Sequence, residues 1–204
     1  DGKIQKVDVA TGAMTVVPFT AQAQLDLGPD LEFPYRVEQG PVRAKLIQDP
    51  RQSPDGRRLA MSVLTRLYVM DLPGGTPALL TAPRTSGDSA GTAAWEFKPT
   101  WSPDGQWIAY VTWSMHDGGH IWKTRADGRG QPQRLTSVPA FYTDIAFSPD
   151  GSRIVGLRGN EYMRHQSFSE FGGLRIPLDL VWLPSGGGPV ETIVPARGVG
   201  SPHF

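Results

Sequence analysis

The sequence predicts an all-β fold, a partial β-propeller of four-stranded antiparallel blades, with about three full blades and a partial blade at each end. Three observations predict it. A Ser-Pro-Asp-Gly turn recurs at Ser53–Gly56, Ser102–Gly105 and Ser148–Gly151, at intervals of 49 and 46 residues, and propeller blades repeat roughly every 40–50 residues. Each turn precedes a short apolar run rich in β-formers. Each run leads to a third strand, a Gly-rich turn and a short outer strand.

The turn has a local mechanism. Proline presets φ at the first central position, aspartate suits the second and bonds nearby amides, and glycine takes the left-handed conformation that closes the hairpin. The runs that follow are Arg58–Val63, Trp107–Thr112 and Arg153–Leu157. Short and nearly continuous in apolar residues, they read as middle strands buried on both faces. Third strands are expected at Leu67–Asp71, His120–Thr124 and Leu180–Leu183, and outer strands at Ala78–Thr81, Gln133–Thr136 and Glu191–Val194. The predicted blades are 43–82, 94–137 and 140–195.

The ends fit the same register. Residues 1–24 read as the last two strands of an earlier blade, Lys3–Val9 and Met14–Val17, and 25–42 as a connection carrying Phe33-Pro34-Tyr35. Residues 199–204 read as the start of a next blade: Ser201-Pro202-His203-Phe204 aligns with Lys98-Pro99-Thr100-Trp101, which puts Phe204 just before the place of another turn. A partial array leaves inter-blade faces bare, so the segment is expected to need the remainder of a parent chain, or another copy, as a partner.

Composition bounds the function. The 204 residues hold 20 basic and 20 acidic side chains, a net charge of zero, which gives no electrostatic case for nucleic acid or an anionic membrane. No apolar run approaches membrane-spanning length. There is no cysteine, which excludes disulfides and thiolate metal sites. Glycine (24) and proline (19) suit a turn-rich β protein and stay below the level of disorder.

Function on a repeat scaffold sits in loops that break the repeat. The connection from the second to the third strand is nearly absent at Thr65-Arg66, spans Ser114–Gly119 in the next blade, and runs from about Gly159 to Pro177 in the third. That last loop carries Glu161, Tyr162, Arg164, His165, Phe168, Glu170, Phe171 and Arg175. Its length is unusual for a β connection. Glu161, Tyr162, Arg164, His165, Phe168 and Arg175 are the candidate contact surface for another domain or chain, against the plainer reading of a solvated insertion.

Three patterns touch on chemistry. Gly87-Asp88-Ser89-Ala90-Gly91 matches G-x-S-x-G, but that chemistry needs a buried strand before the serine and a helix after it. Neither fits between Thr81 and Trp95, so a connection between blades is the expected role. His116-Asp117-Gly118-Gly119-His120 offers two histidines and a carboxylate, yet it spans a hairpin rather than one helix face, and metal binding is not expected there. Trp101, Trp107, Trp113 and Trp122 fall within one blade, with Trp107 and Trp113 on one face of one strand. Inter-blade packing is the default reading; a stacking platform for sugar or peptide is the sharper one. No catalytic, cofactor-binding or metal-ligating residue is assigned.

Aromatic-Ser-Pro-Asp-Gly-x-x-Ile-Ala repeats with Arg-Leu-Thr blade ends resemble TolB-like, WD40-like β-propellers. The stretches that carry the resemblance are Trp101–Ala109, Phe147–Val155 and Ser53–Ala60, with the ends Leu80-Thr81 and Leu135-Thr136. Phe33–Val42, Ile47–Ser53 and Thr65–Thr76 are also similar to the propeller that precedes the catalytic domain in some bacterial metal-dependent amidohydrolases. That resemblance implies a larger hydrolase with zinc in a separate barrel, whose His-x-His motif this chain lacks. The segment itself would be non-catalytic, a scaffold or substrate gate in a periplasmic or secreted protein. Two alternatives stand beside it: a protein-binding propeller of the TolB kind, and the propeller of a prolyl-oligopeptidase-like serine peptidase.

Overall fold

A computed structural model describes residues 4–25, 28, 40, 43–81, 94–166 and 177–195. The chain divides into two units, residues 1–41 and 42–204. In the first, β1 (Ile4–Val7) pairs antiparallel with β2 (Met14–Val17). The turn between them is organised by Asp8, whose Oδ1 accepts from the backbone N–H of Ala10 and Thr11 and from the Thr11 hydroxyl.

The second unit holds three four-stranded antiparallel sheets, the blades of a partial propeller. Blade 1 is β3 (Gln48–Gln52), β4 (Arg58–Val63), β5 (Arg66–Asp71) and β6 (Ala78–Leu79). Blade 2 is β7 (Trp95–Trp101), β8 (Trp107–Ser114), β9 (Gly118–Arg125) and β10 (Gln133–Arg134). Blade 3 is β11 (Phe141–Phe147), β12 (Arg153–Gly159), β13 (Leu178–Pro184) and β14 (Glu191–Val194). Each sheet pairs its strands in chain order. Two connections differ from the sequence expectation. The strand β9 begins at Gly118, so the blade 2 turn is shorter than Ser114–Gly119, and the long blade 3 loop opens with a helix, α1 (Glu161–Gln166).

The repeated turn folds the same way three times. The serine hydroxyl donates to the aspartate at 2.5–2.6 Å in each copy. That carboxylate accepts the N–H of Arg57, Gln106 or Ser152 at 3.0–3.1 Å, and the glycine takes φ between +67° and +73°. These bonds favour the ionised carboxyl. The hydroxyl of Ser148, the N–H of Ser152 and the hydroxyl of Ser152 hold Asp150 down to about 2.

The core lies between blades. Along β8 the side chains alternate: Ile108 and Tyr110 pack toward blade 1 with Ala60, Leu67 and Leu80, while Ala109 and Val111 pack toward blade 3 with Tyr142, Ile145 and Ile154. This is the period-two geometry of a strand with both faces covered. Trp101 packs with the blade 1 residues and Phe147 against the cluster shared by blades 2 and 3, so the aromatic before the second turn and that before the third both join an inter-blade core.

Each first strand also carries a bulge at the same repeat position, with a left-handed residue: Asp49 (φ 50°), Lys98 (φ 53°) and Asp144 (φ 47°). The bulges turn the three charges toward one another. The Lys98 ammonium lies 2.9 Å from Asp49 and 3.1 Å from Asp144, joining all three blades. Burial opposes the charge, but Asp49 and Asp144 outweigh it and hold the Lys98 pKa above its ordinary value. The contribution is therefore complete at neutral pH and is lost only as pH rises through that raised value. Lys98→Met is expected to lower the unfolding free energy by about 1–2 kcal/mol, as for a part-buried pair of contacts. Asp144→Asn should then cost little in the Lys98→Met background when urea unfolding is compared. Fully additive costs would show that Lys98 does not bridge.

Candidate functional site

The candidate loop enters the structure through α1. Its residues reach back onto blade 2 from the end of β12. The Glu161 carboxylate lies over Gly118, so close that a Cβ at that glycine would stand 2.9 Å from it. Gly118 has φ +65°, so the turn favours glycine for its backbone. The Arg164 guanidinium sits over two rings, 5.7 Å from the centre of Trp113 and 5.4 Å from that of Phe141. Those rings meet edge to face at 5.8 Å, and Leu157 and Leu178 complete the cluster beneath.

Of the six candidates, Glu161 and Arg164 thus anchor the helix to the blades, and Tyr162 points out, 71% exposed. His165 lies within α1, but its side chain is outside the described residues, as are Phe168 and Arg175. The G-x-S-x-G stretch at 87–91 and Phe33-Pro34-Tyr35 also lie outside them.

Beside Tyr162 runs an open groove of about 800 Å³, lined by Val138, Pro139, Tyr142, Arg158, Glu161 and Asp179, among others. Cross-strand pairing of Tyr142 with Arg158 and of Arg158 with Asp179 places these side chains in a row. Arg158 Nη2 donates to Asp179 Oδ2 and Thr192 Oγ1, both at 3.0 Å. The Tyr142 hydroxyl donates to the Val138 carbonyl at 3.2 Å. Burial raises the Tyr142 pKa, so the phenol stays protonated at neutral pH. The groove thus joins paired polar groups to aromatic and proline walls.

The two histidines of the blade 2 turn part company. His120 is buried on β9, with Nδ1 2.9 Å from Thr136 Oγ1. His116 lies in the turn itself, and among the described residues no group of three or more His, Asp or Glu is placed to hold a metal ion. Three of the four candidate tryptophans take inter-blade positions. Trp101 and Trp122 are on the blade 1 side, Trp113 meets Phe141 of blade 3, and Trp107 is covered by Lys123 at 4.8 Å.

No family model matches the chain. An uncharacterized peptidase of Bacillus subtilis (strain 168), YuxL, is 26% identical over 119 residues, which is 53% of this chain and 17% of that protein. The structure of a putative TolB from Agrobacterium tumefaciens superposes with a TM-score of 0.53 at 24% identity, over 72% of this chain and 50% of that one. TolB from Acinetobacter baumannii gives a TM-score of 0.46 at 19% identity, over 93% of this chain and 37% of that one. The chain thus spans half of the first solved structure and less than a fifth of the peptidase. Fold and comparisons together define a partial TolB-like β-propeller.

Burial, and next the positive charge of Arg134, lower the His120 pKa below its ordinary 6.5, against the opposing pull of the Thr136 contact, Asp117 and Glu161. The unfolded chain therefore takes up this proton first. Stability is present above about pH 6.5 and is lost as pH falls through the lowered value. Melting temperatures taken across that range should fall with acidity in the wild type and fall less in His120→Gln. Equal slopes would rule out His120 as the group responsible.

Proposed function

We propose that this chain is the non-catalytic propeller segment of a larger bacterial hydrolase that acts on amide-type bonds, serving as scaffold or substrate gate for a catalytic domain outside it. The observation that carries the reading is the blade 3 insertion. The α1 helix is anchored through Glu161 and Arg164, and it presents Tyr162 beside an open groove of about 800 Å³. An anchored, solvent-facing aromatic next to a concave polar row has the make-up of an interface centre. The resemblance at Phe33–Val42 and Thr65–Thr76 favours a metal-dependent amidohydrolase as the parent, with zinc held by that other domain. A second reading, the propeller of a serine peptidase, is favoured by the peptidase name of the relative YuxL. Both chemistries cleave amide bonds, so the propeller's role is the same in each. A protein-binding propeller without an attached enzyme is the remaining alternative.

The test is activity of the protein as encoded. Hydrolysis of amide substrates should disappear on chelation and return with Zn²⁺, while residues 1–204 alone stay inactive with Zn²⁺ added. Tyr162→Ala should lower turnover of the whole protein without altering its zinc content. Activity that survives chelation and is blocked by a fluorophosphonate would replace the amidohydrolase reading with the peptidase one. No hydrolysis in any form would overturn the hydrolase reading altogether.

A further inference from the structure

An Asp-Gly pair is a chemical weak point as well as a turn signal. The amide nitrogen of the second residue attacks the aspartate Cγ, and glycine, with no Cβ, leaves that approach open. Among the described residues there are five such pairs, beginning at Asp55, Asp104, Asp117, Asp127 and Asp150. Four of the carboxyls are held in a form that resists attack. Asp55, Asp104 and Asp150 each accept the hydroxyl of the serine two residues before and a backbone N–H two residues after. Asp127 accepts from the Arg125 guanidinium at 2.9 Å and from the Arg129 N–H at 3.0 Å. Hydrogen bonds to a carboxylate favour its charged form. All four pKa values accordingly lie below the ordinary one, those of Asp127 and Asp150 at about 2. Only the neutral carboxyl loses its OH as water, and each unit of depression removes about nine-tenths of that form.

Asp117 is held differently. It is exposed in the turn between β8 and β9, where its N–H donates to Ser114 Oγ at 2.8 Å. Its carboxylate accepts no hydrogen bond and enters no ion pair among the described residues. The register sets Ser114 opposite Gly118, so three residues make the turn. Gly119, next along, has no slack: a Cβ there would stand 2.4 Å from the Ala140 carbonyl oxygen. Over Gly118 lies the Glu161 carboxylate of α1.

We propose that Asp117-Gly118 is a modification site, at which aspartate isomerises to isoaspartate in the folded chain ahead of the other four pairs, and that the altered turn loosens α1. In the first step the Gly118 nitrogen bonds to Asp117 Cγ, while the amide hydrogen and the carboxyl OH leave as one water. The product is a five-membered succinimide. Water then adds at one of its two carbonyls. Breaking the Cγ–N bond restores aspartate, whereas breaking the bond from nitrogen to the main-chain carbonyl carbon gives isoaspartate. One water leaves and one returns, with no change of oxidation state. Isoaspartate runs the main chain through the former side chain, which adds one methylene to the turn. With Gly119 fixed, the added length moves Gly118 toward Glu161, one of the two anchors of α1. The inference is independent of which catalytic domain, if any, the propeller serves.

Ageing the protein as encoded at neutral pH tests it. Isoaspartate, located by electron-transfer fragmentation of its peptides, should accumulate at residue 117 at least about tenfold faster than at 55, 104, 127 or 150. In urea, where the protecting hydrogen bonds are gone, the five rates should converge. Ser148→Ala, which takes one donor from Asp150, should raise the rate at 150. Limited trypsin digestion should cut after Arg164 faster as isoaspartate accumulates at 117. Asp117→Glu, in which attack needs a six-membered ring, should show neither change. Equal rates at the five pairs in the folded protein, another pair ahead of Asp117, or the same ranking in urea would overturn the site. Unchanged cutting after Arg164 in protein rich in isoaspartate at 117 would overturn the link to α1.

Discussion

Everything in the second unit depends on a middle strand that gives one face to each neighbouring blade. The strand β8 shows it fully, with Ile108 and Tyr110 turned to blade 1 and Ala109 and Val111 to blade 3, all of them buried. Burying a side chain the size of isoleucine or valine is worth about 1.5–3 kcal/mol, whereas an exposed ion pair is worth about 0.2–1 kcal/mol. The apolar flanks therefore supply most of the cohesion. The polar links have another role: Ser62 donating to the Glu96 carbonyl, Thr81 donating to its carboxylate, and Lys98 between two aspartates fix which blade sits beside which, and in what register.

Much of this was legible because it is local. A Ser-Pro-Asp-Gly turn makes its own bonds within six residues, so three copies announce three hairpins without any tertiary information. The β-rich runs after them then place the middle strands, and the observed β4, β8 and β12 begin at the predicted Arg58, Trp107 and Arg153. Other features depend on partners far along the chain. The turn Leu64-Thr65 has positive φ at both residues and no glycine to signal it. Lys98 reads as one more surface lysine until the bulges bring Asp49 and Asp144 to it. A signal did exist: all three stand four residues before the serine of the turn, and each is charged.

The candidate site was legible only in outline. Its length and its aromatic and charged content marked the blade 3 loop, but not the helix within it. A six-residue helix has too few positions to show a periodicity. Nor does any local pattern indicate that Glu161 and Arg164 turn inward and Tyr162 outward. That division comes from the space above Gly118 and from the Trp113–Phe141 pair, which belong to other elements. The groove row Tyr142–Arg158–Asp179 is likewise a product of strand register. The scaffold and the helix on it are thus one system, since the blades that bury each other's flanks also hold α1 in place.

The two-sided role of β8 is tested most directly by hydrogen exchange on two variants. Ile108→Ala should speed amide exchange in β4 and β5 of blade 1, and Val111→Ala in β11 and β12 of blade 3, each sparing the opposite blade. Faster exchange confined to blade 2 in both variants would contradict the account, because it would mean that the blades stand on their own and do not need one another's faces.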